Sequence, residues 1–426
     1  MKLSDFEFTK EYAQSMDQND PLNHFRDRFY YPTVEGNPAI YLCGNSLGLQ
    51  PKTVKDHLQI ELDNWASMAV DGHFKGKDPW YGARIKSKPI LAEVVGAREH
   101  EVVAMNNLSS NLHFLMVSFY QPTTAKYKII TEAGAFPSDI YMLETQVKFH
   151  GYDPKDAIIE ISPREGEHTL RTEDIIKQIE SNKDELALVM MAGLQYYTGQ
   201  VFDMEAITKA GHDAGAKVGY DLAHAAGNAP LSLHEWGVDF ATWCSYKYLN
   251  SGPGNISGIF VHERHADNPD LPRFAGWWGH DEKERFKMEK GFKPMYGADG
   301  WQLANTNVLA LAAHQASLEI FKEAGMENLR KKSELLTSYL EFLVRKINSG
   351  VLEIITPKNP KERGCQLSLL VHKGGKDVFD EFYKNGIVGD WRHPNVIRVA
   401  PTPLYNSFMD VYKFAKILEQ ALQKFA

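Results

Sequence analysis

Four side chains that could do chemistry lie close together in the segment 218–250. They are Asp221, His224, Tyr246 and Lys247. The aspartate follows the apolar run 216–220, and the tyrosine–lysine pair follows the apolar run 240–244, both typical of buried strands. Ligands of open α/β sheets bind beyond the carboxyl ends of the strands, so we expect the four side chains at one ligand-binding edge.

An aspartate and a lysine in this arrangement suit pyridoxal phosphate. The carboxylate can pair with the pyridine nitrogen and keep it protonated, so that the ring accepts electrons, and the lysine amine can bind the aldehyde covalently. Asp221 and Lys247 alone are a weak signal, because most lysines are solvated. The interpretation therefore depends on the rest of the chain.

Composition indicates a globular protein of more than one domain. The 426 residues exceed what one hydrophobic core usually organises, and 43% of them are apolar and 24% charged. The net charge of −8 comes without a basic block, which argues against nucleic-acid binding, and no apolar run is long enough for a membrane span. The N-terminus is unlike a targeting peptide, and three widely spaced cysteines are typical of reduced thiols. We expect a cytoplasmic protein without a metal site.

Apolar runs and helix-like segments alternate along most of the chain, which predicts an α/β fold with a mostly parallel sheet flanked by helices. Strands are predicted at residues 39–43, 101–105, 127–131, 157–161, 186–191, 216–220, 240–244 and 256–262. Helices are predicted at residues 51–68, 110–120, 172–182, 204–214 and, with a joint at Gly325, 308–348. The last part adds strands at 352–355, 366–372 and 396–400, and helices at 376–385 and from Asp410. The expected domains are an N-terminal helical arm over 1–38, a large cofactor-binding domain over 39–310 and a small α+β domain over 311–426.

Several turns follow predicted strands at the expected ligand-binding edge. The glycines of the turn 44–48 let backbone approach a ligand, although an ordinary strand-to-helix turn has the same composition. Ser109 or Ser110 can cap a helix whose first amides would bind phosphate. Phe136 can stack on a flat ring or simply belong to the core. The turn 195–200 is polar and aromatic.

Four stretches of the chain closely resemble the kynureninase family of pyridoxal phosphate enzymes. They are CGNSLGLQP, DLAHAAGN, WGVDFATWCSYKYLNSGPG and RVAPTPLYNSF. They stand in the family's order, and the resemblance spans residues 41–408. It implies the PLP-dependent transferase fold (fold type I, class V-like), with a seven-stranded, mostly parallel sheet in the large domain.

The resemblance implies hydrolytic Cβ–Cγ cleavage of L-kynurenine, or of its 3-hydroxy derivative, to anthranilate or 3-hydroxyanthranilate and L-alanine. Lys247, Tyr246 and Asp221 are the expected catalytic residues. Lys247 would remove the Cα proton, Asp221 would keep the ring protonated, and Tyr246 is our hypothesis for proton exchange around the ketone oxygen. The pathway could be tryptophan catabolism, nicotinamide (NAD) synthesis or a secondary route.

The resemblance also implies binding roles. Expected contacts to the cofactor come from Leu108, Ser109, Phe136, Pro137, Ser138, Asp139, Asp221, His224, Tyr246, Lys247, Trp277 and Asn305. Expected contacts to the substrate come from Arg398, Ser46, His73, Trp278 and Asn305. The planar guanidinium of Arg398 suits bidentate binding of the substrate carboxylate.

This fold type builds its site across a homodimer interface, so Trp277 and Asn305 are expected from the neighbouring subunit. Relatives can carry a hydroxyl where this chain has Ala192, so Ala192 is not predicted to belong to the site. The nearest alternative is another fold type I enzyme, either a class V aminotransferase or a cysteine desulfurase. A desulfurase needs a nucleophilic cysteine on a mobile loop, and Cys365 at a strand entrance is a poor match.

Overall fold

Two sheets of unequal size organise the chain, and the computed structural model describes residues 3–347 and 350–424. The strands are β1 (Thr33–Val34), β2 (Asn37–Pro38), β3 (Ile40–Tyr41), β4 (Val102–Ala104), β5 (Lys128–Glu132), β6 (Ile158–Ile161), β7 (Leu186–Ala192), β8 (Lys217–Asp221), β9 (Phe240–Trp243), β10 (Gly258–Val261), β11 (Leu352–Ile354), β12 (Leu367–Val371), β13 (Ile387–Val388), β14 (Asp390–Arg392) and β15 (Val396–Val399). The helices are α1 (Lys10–Gln18), α2 (Val54–Met68), α3 (Lys88–Val95), α4 (Leu108–Phe119), α5 (Pro137–Phe149), α6 (Pro154–Ala157), α7 (Thr172–Ser181), α8 (Met204–Asp213), α9 (Val308–Ala324), α10 (Met326–Ile347), α11 (Gly375–Lys384) and α12 (Phe408–Gln423).

The large sheet has the strand order β4-β10-β9-β8-β7-β5-β6. Strands β6, β5, β7, β8 and β9 are parallel, and β10 runs antiparallel to both of its neighbours. Its strands are buried on both faces: Ile129 and Leu188 pack into one core cluster, and the adjacent Ile130 and Val189 into the other. The predicted seven-stranded, mostly parallel sheet is confirmed.

The smaller sheet, β11-β12-β15-β14, is antiparallel and shares one core with helices α10, α11 and α12. The N-terminal segment packs on this unit through Phe6 and Ala13. Asp17 caps α12 by accepting hydrogen bonds from the Phe408 amide at 2.7 Å and the Met409 amide at 3.1 Å. The domain boundaries at 38 and 310 stay predictions.

Three local predictions need correction. The strand expected at 39–43 is short and pairs in parallel with β13, not with a strand of the large sheet. It does so because its backbone hydrogen bonds are made with residues 386–388. The N-cap of α4 is Asn107, whose side chain accepts the Ser110 amide at 3.0 Å, so neither serine is the cap. The segment 1–38 holds the hairpin β1–β2 besides its helices.

The long helical segment after residue 308 divides as predicted. Gly325, at φ +73°, ends α9 and precedes α10. Helix α10 ends at Ile347, and the expected end at Asn348 lies outside the described residues. Within residues 3–347 and 350–424, no helix combines the length and the apolar character needed to cross a membrane.

Candidate active site

A cavity of about 280 Å³ lies at the carboxyl ends of β4, β5, β7, β8 and β9, the edge predicted for ligand binding. Nine predicted site residues line it: Leu108, Ser109, Phe136, Ser138, Asp139, Asp221, His224, Tyr246 and Lys247. Asp221 is the last residue of β8, and the others belong to turns or to the first helical residues that follow strands. Parallel strands therefore bring together residues that are far apart in the chain.

Lys247 is buried, and its Nζ lies 3.1 Å from Nε2 of His224. Burial, together with the charge of Lys247, holds the pKa of His224 well below its usual range. The neutral ring can accept a hydrogen bond from the Lys247 amine at Nε2. Its buried Nδ1 has no hydrogen-bond partner among the described residues, and so it is available to a ligand.

Two carboxyl groups oppose Lys247 in the cavity. Asp221, at the end of β8, accepts the Ala223 amide at 2.6 Å, and Asp139 on α5 lines the same cavity. Burial raises the pKa of both groups, and the charge of Asp221 raises that of Asp139 further. The pair therefore retains a proton more readily than isolated aspartates do. Oδ1 of Asp139 is buried without a partner in the described part of the chain.

The N-terminus of α4 forms another wall. Because the helix begins at Leu108, the amides of Leu108 and Ser109 have no acceptor within the helix. These amides and the positive end of the helix dipole favour an anion at this position. Tyr246 lines the same cavity, and burial raises the pKa of its hydroxyl, so the hydroxyl stays protonated near neutral pH.

The turn 44–48 packs directly on the segment that carries Lys247. The Gly48 amide donates to the Tyr246 carbonyl oxygen at 2.9 Å. A Cβ at Gly48 would lie 2.4 Å from the Lys247 carbonyl oxygen and 2.2 Å from Oδ1 of Asn250. Glycine is therefore required here for close approach of two backbone segments.

Arg398 lies beside the cavity, fully buried on β15. Its Nη1 donates to the carbonyl oxygen of Tyr196, a cavity-lining residue, at 2.8 Å. Its Nη2 lies 2.6 Å from Oδ2 of Asp390 and 3.4 Å from Oγ of Ser46. The predicted substrate residues Arg398 and Ser46 therefore meet each other and the cavity wall.

Five other predicted site residues do not line this cavity within the same chain. His73 packs edge-on against Trp80, with ring centroids 5.3 Å apart. Trp278 is buried against Tyr81, and Trp277 is partly exposed. Asn305 is exposed in a separate recess that touches the cavity only through Asn107. Pro137, also predicted, forms the first turn of α5 and is not part of the lining.

Sequence reasoning missed several cavity residues. They are Asn107, Ala192, Leu194, Tyr196, Ala223 and Cys244. Ala192, which was not predicted to belong to the site, is the last residue of β7 and forms part of the wall. Tyr196 stands in the polar, aromatic turn at 195–200, which was a usable signal. Ala223 and Cys244 carry no such signal, because small and apolar residues near strand ends are ordinary core.

The residues present fit pyridoxal phosphate. Lys247 provides an amine for an aldehyde, the buried Asp139–Asp221 pair offers a partner for a pyridine nitrogen, and α4 offers amides for a phosphate. The unpartnered atoms of His224 and Asp139 add polar groups that a ligand can satisfy.

Comparison with known proteins places the chain in a family. A family model described as the kynureninase C-terminal domain matches residues 329–418. A Flavobacterium johnsoniae protein named kynureninase is 55% identical over 420 residues, covering 98% of this chain and 99% of the relative. Among solved structures, a cysteine desulfurase from Thermococcus onnurineus has a TM-score of 0.75 at 18% identity, covering 96% of this chain and 98% of that one. A C-DES mutant with glycine covalently linked to its PLP cofactor has a TM-score of 0.73 at 15% identity, covering 89% and 96%.

The structural neighbours confirm the predicted fold type I architecture, and the near full-length identity decides the family. The resemblance seen in the motifs around Asn45, Asp221, Lys247 and Arg398 extends over nearly the whole chain. The chain belongs to the kynureninase family.

Proposed function

We propose that the protein is a pyridoxal phosphate-dependent hydrolase that cleaves the Cβ–Cγ bond of L-kynurenine, of 3-hydroxy-L-kynurenine, or of both. The products are L-alanine and anthranilate or 3-hydroxyanthranilate. One observation carries the proposal: Lys247 is buried in a cavity with the Asp139–Asp221 pair, next to the buried Arg398. The sequence identity between this chain and a protein named kynureninase supports this reaction over the other reactions of enzymes with this fold.

When bound, pyridoxal phosphate supplies an aromatic ring that accepts electrons from the substrate carbons. Lys247 would hold the cofactor through its aldehyde, and the Lys247 amine would take the proton from Cα of the substrate. The Asp139–Asp221 pair would hold a proton at the pyridine nitrogen. Tyr246 donates to the ketone oxygen. One water is consumed: its hydroxyl ends on the anthranilate carboxyl, and a proton ends on Cβ of alanine.

Arg398 binds the substrate carboxylate in this proposal. Arg392 and Arg398 both contact Asp390, with Arg392 Nε 2.9 Å from its Oδ1. Two arginines beside one aspartate leave a net positive charge, which favours binding of a second carboxylate, that of the substrate. Burial alone would raise the pKa of Asp390, but Arg398 lowers it, so Asp390 stays ionised and orients the guanidinium.

A cysteine desulfurase activity is disfavoured by the state of the thiols. Cys43, Cys244 and Cys365 are all buried and unpaired. Burial raises the pKa of Cys365 to about 12 and that of Cys244 to about 11, so both remain thiols at neutral pH. A protonated thiol is a poor nucleophile.

The site is shared between two copies of the chain in this proposal. Trp277, Asn305 and His73 lie on partly or fully exposed surface and not in the cavity of their own chain. Exposed aromatic side chains around them suit a second copy; they include Phe74 and Phe286. Mixing Lys247→Ala with Asn305→Ala subunits tests this. Recovery of activity in the mixture supports a shared site, and an inactive mixture of assembled subunits contradicts it.

The reaction is tested by incubating the protein and pyridoxal phosphate with kynurenine, 3-hydroxykynurenine, cysteine or alanine. Release of anthranilate or 3-hydroxyanthranilate supports the proposal, and sulfide release from cysteine would favour the alternative. Borohydride treatment should fix the cofactor on the peptide that contains Lys247. The Lys247→Ala variant is the control for both measurements. The ratio of kcat/KM for the two kynurenines then gives the preferred substrate.

Tryptophan catabolism in the cytoplasm is the proposed setting. The unpaired state of Cys43, Cys244 and Cys365 supports a reducing compartment. Loss of growth on tryptophan, or accumulation of kynurenine, in a strain that lacks the protein tests the pathway. Normal kynurenine levels in such a strain would contradict it.

A further inference from the structure

Glu132 is a buried glutamate without a cationic partner among residues 3–347 and 350–424. It is the last residue of β5, and about 1% of its surface is exposed. The other buried glutamates in the described part of the chain are paired: Glu341 contacts Arg363 at 2.6 Å, and Glu101 contacts His234 at 2.9 Å. A buried carboxyl without such a partner is costly to ionise.

The contacts of Glu132 place its carboxyl behind the acid pair of the cavity. The Ala192 amide donates to both of its oxygens, at 3.3 and 3.2 Å, and the Thr131 hydroxyl lies 3.4 Å away. Ala192 is the register partner of Asp221 on the neighbouring strand. The charge of Asp221 acts on Glu132, and that of Glu132 acts on Asp139.

We propose that Glu132 is a positioning residue that keeps protons on the Asp139–Asp221 pair, so that these three carboxyls act together as one proton store behind the cofactor ring. Only the expected effect on the cofactor ring rests on the proposed function. Lys247 is the cation that faces the pair, and His224 beside it is neutral. A third carboxyl beside the Asp139–Asp221 pair makes it less favourable for the three carboxyls to lose their remaining protons, because each loss adds negative charge.

The pKa shift of Glu132 predicts the direction in which the stability of the protein changes with pH. Burial raises the pKa of Glu132 from 4.5 to about 7, and the charge of Asp221 adds to this. The unfolded chain therefore ionises at lower pH than the folded protein, so Glu132 removes stability as pH rises from 4.5 to 7. Any negative charge on Glu132 above this range favours protons on its neighbours.

The experiment compares Glu132→Gln with the natural chain. Glutamine keeps an oxygen that accepts the Ala192 amide but cannot ionise. In apoprotein, the melting temperature of Glu132→Gln should rise relative to that of the natural chain as the pH increases from 4.5 to 7.5. In holoenzyme, the midpoint of the pH titration of the cofactor's visible absorption should fall by about one unit. Glu132→Asp, which retains a carboxyl, should keep the natural midpoint even where it lowers stability.

Glu101→Gln is the matched control, because Glu101 is equally buried and precedes the edge strand β4 on the far side of the sheet. It should leave the absorption midpoint unchanged. The proposal is overturned if the melting temperatures of Glu132→Gln and of the natural chain change in parallel with pH and the absorption midpoint of Glu132→Gln is unchanged. Glu132 would then be only an acceptor for the Ala192 amide. A protein that binds no pyridoxal phosphate would refute the proposed function alone, since the apoprotein measurement still decides the role of Glu132.

Discussion

Asp390 and Arg398 lie opposite each other on the paired strands β14 and β15, with Oδ2 and Nη2 2.6 Å apart. The aspartate fixes the guanidinium, and Nη1 donates to the carbonyl oxygen of the wall residue Tyr196. If Arg398 binds the substrate carboxylate as proposed, that carboxylate would meet an arginine that is already oriented. This preorganisation reduces the free energy lost in ordering the side chain on binding.

Arg398→Lys should raise KM for kynurenine and lower kcat/KM by about 10- to 100-fold, because lysine loses the forked contacts, each worth about 1.5–3 kcal/mol. Steady-state anthranilate release measures the effect. Arg164→Lys is the control, since it removes a forked pair with Asp174 at the surface. An unchanged KM would exclude Arg398 from carboxylate binding.

Tyr246→Phe should lower kcat by about 10²–10⁴-fold, the usual contribution of a general acid–base group. Burial raises the pKa of the hydroxyl, so the natural protein has a proton donor here throughout the neutral range. Tyr152→Phe is the control, because the Tyr152 hydroxyl only contacts the Thr123 carbonyl oxygen, 3.0 Å away at the surface. If kcat stays the same, Tyr246 has no part in proton transfer.

Gly48→Ala should weaken pyridoxal phosphate binding and lower the free energy of unfolding by about 1–3 kcal/mol. The added Cβ would overlap the Lys247 carbonyl oxygen and force the two segments apart. Cofactor titration and urea unfolding measure the two effects. Gly82→Ala is the control, because its nearest neighbour, Cδ1 of Ile85, lies 3.7 Å away. Natural cofactor affinity in Gly48→Ala would contradict the packing argument.

Asp239→Asn should lower the free energy of unfolding at pH 7 by about 3–5 kcal/mol, because it breaks a buried charged network. Asp239 contacts His212 and His265 at 2.8 Å, and accepts the Val218 amide at 2.9 Å. Burial alone would raise its pKa, but the hydrogen bonds to both histidines lower it strongly.

The sign of this shift predicts a pH dependence. A depressed pKa in the folded state stabilises the fold above the unfolded value of 3.8, and the stabilisation is lost as pH falls below it. The difference in unfolding free energy between the natural chain and Asp239→Asn should therefore shrink from pH 7 to pH 3. Urea titrations at the two pH values measure it. An equal difference at both pH values would show that the charge is unimportant.

Much of the site could be predicted from the sequence because its chemistry follows strand ends. Asp221 and Lys247 each come soon after an apolar run, and the alternation of strands and helices indicated that these ends share one edge. The cap of α4 was assigned to the wrong residue because Asn107 and the two serines are all good caps. The choice among them depends on where the backbone turns.

The sequence by itself determined the class of fold, the edge at which the cavity lies and nine of the residues that line it, because hydrophobic periodicity and local motifs are properties of short segments. Only the tertiary structure decided that Asp390 orients Arg398, that Glu132 lacks a cationic partner in the described part of the chain and that Trp277 stands outside its own chain's cavity. These relations join residues that are distant in the chain or absent from any motif. They depend on how strands pair and on which charges become buried together, and no local pattern encodes that.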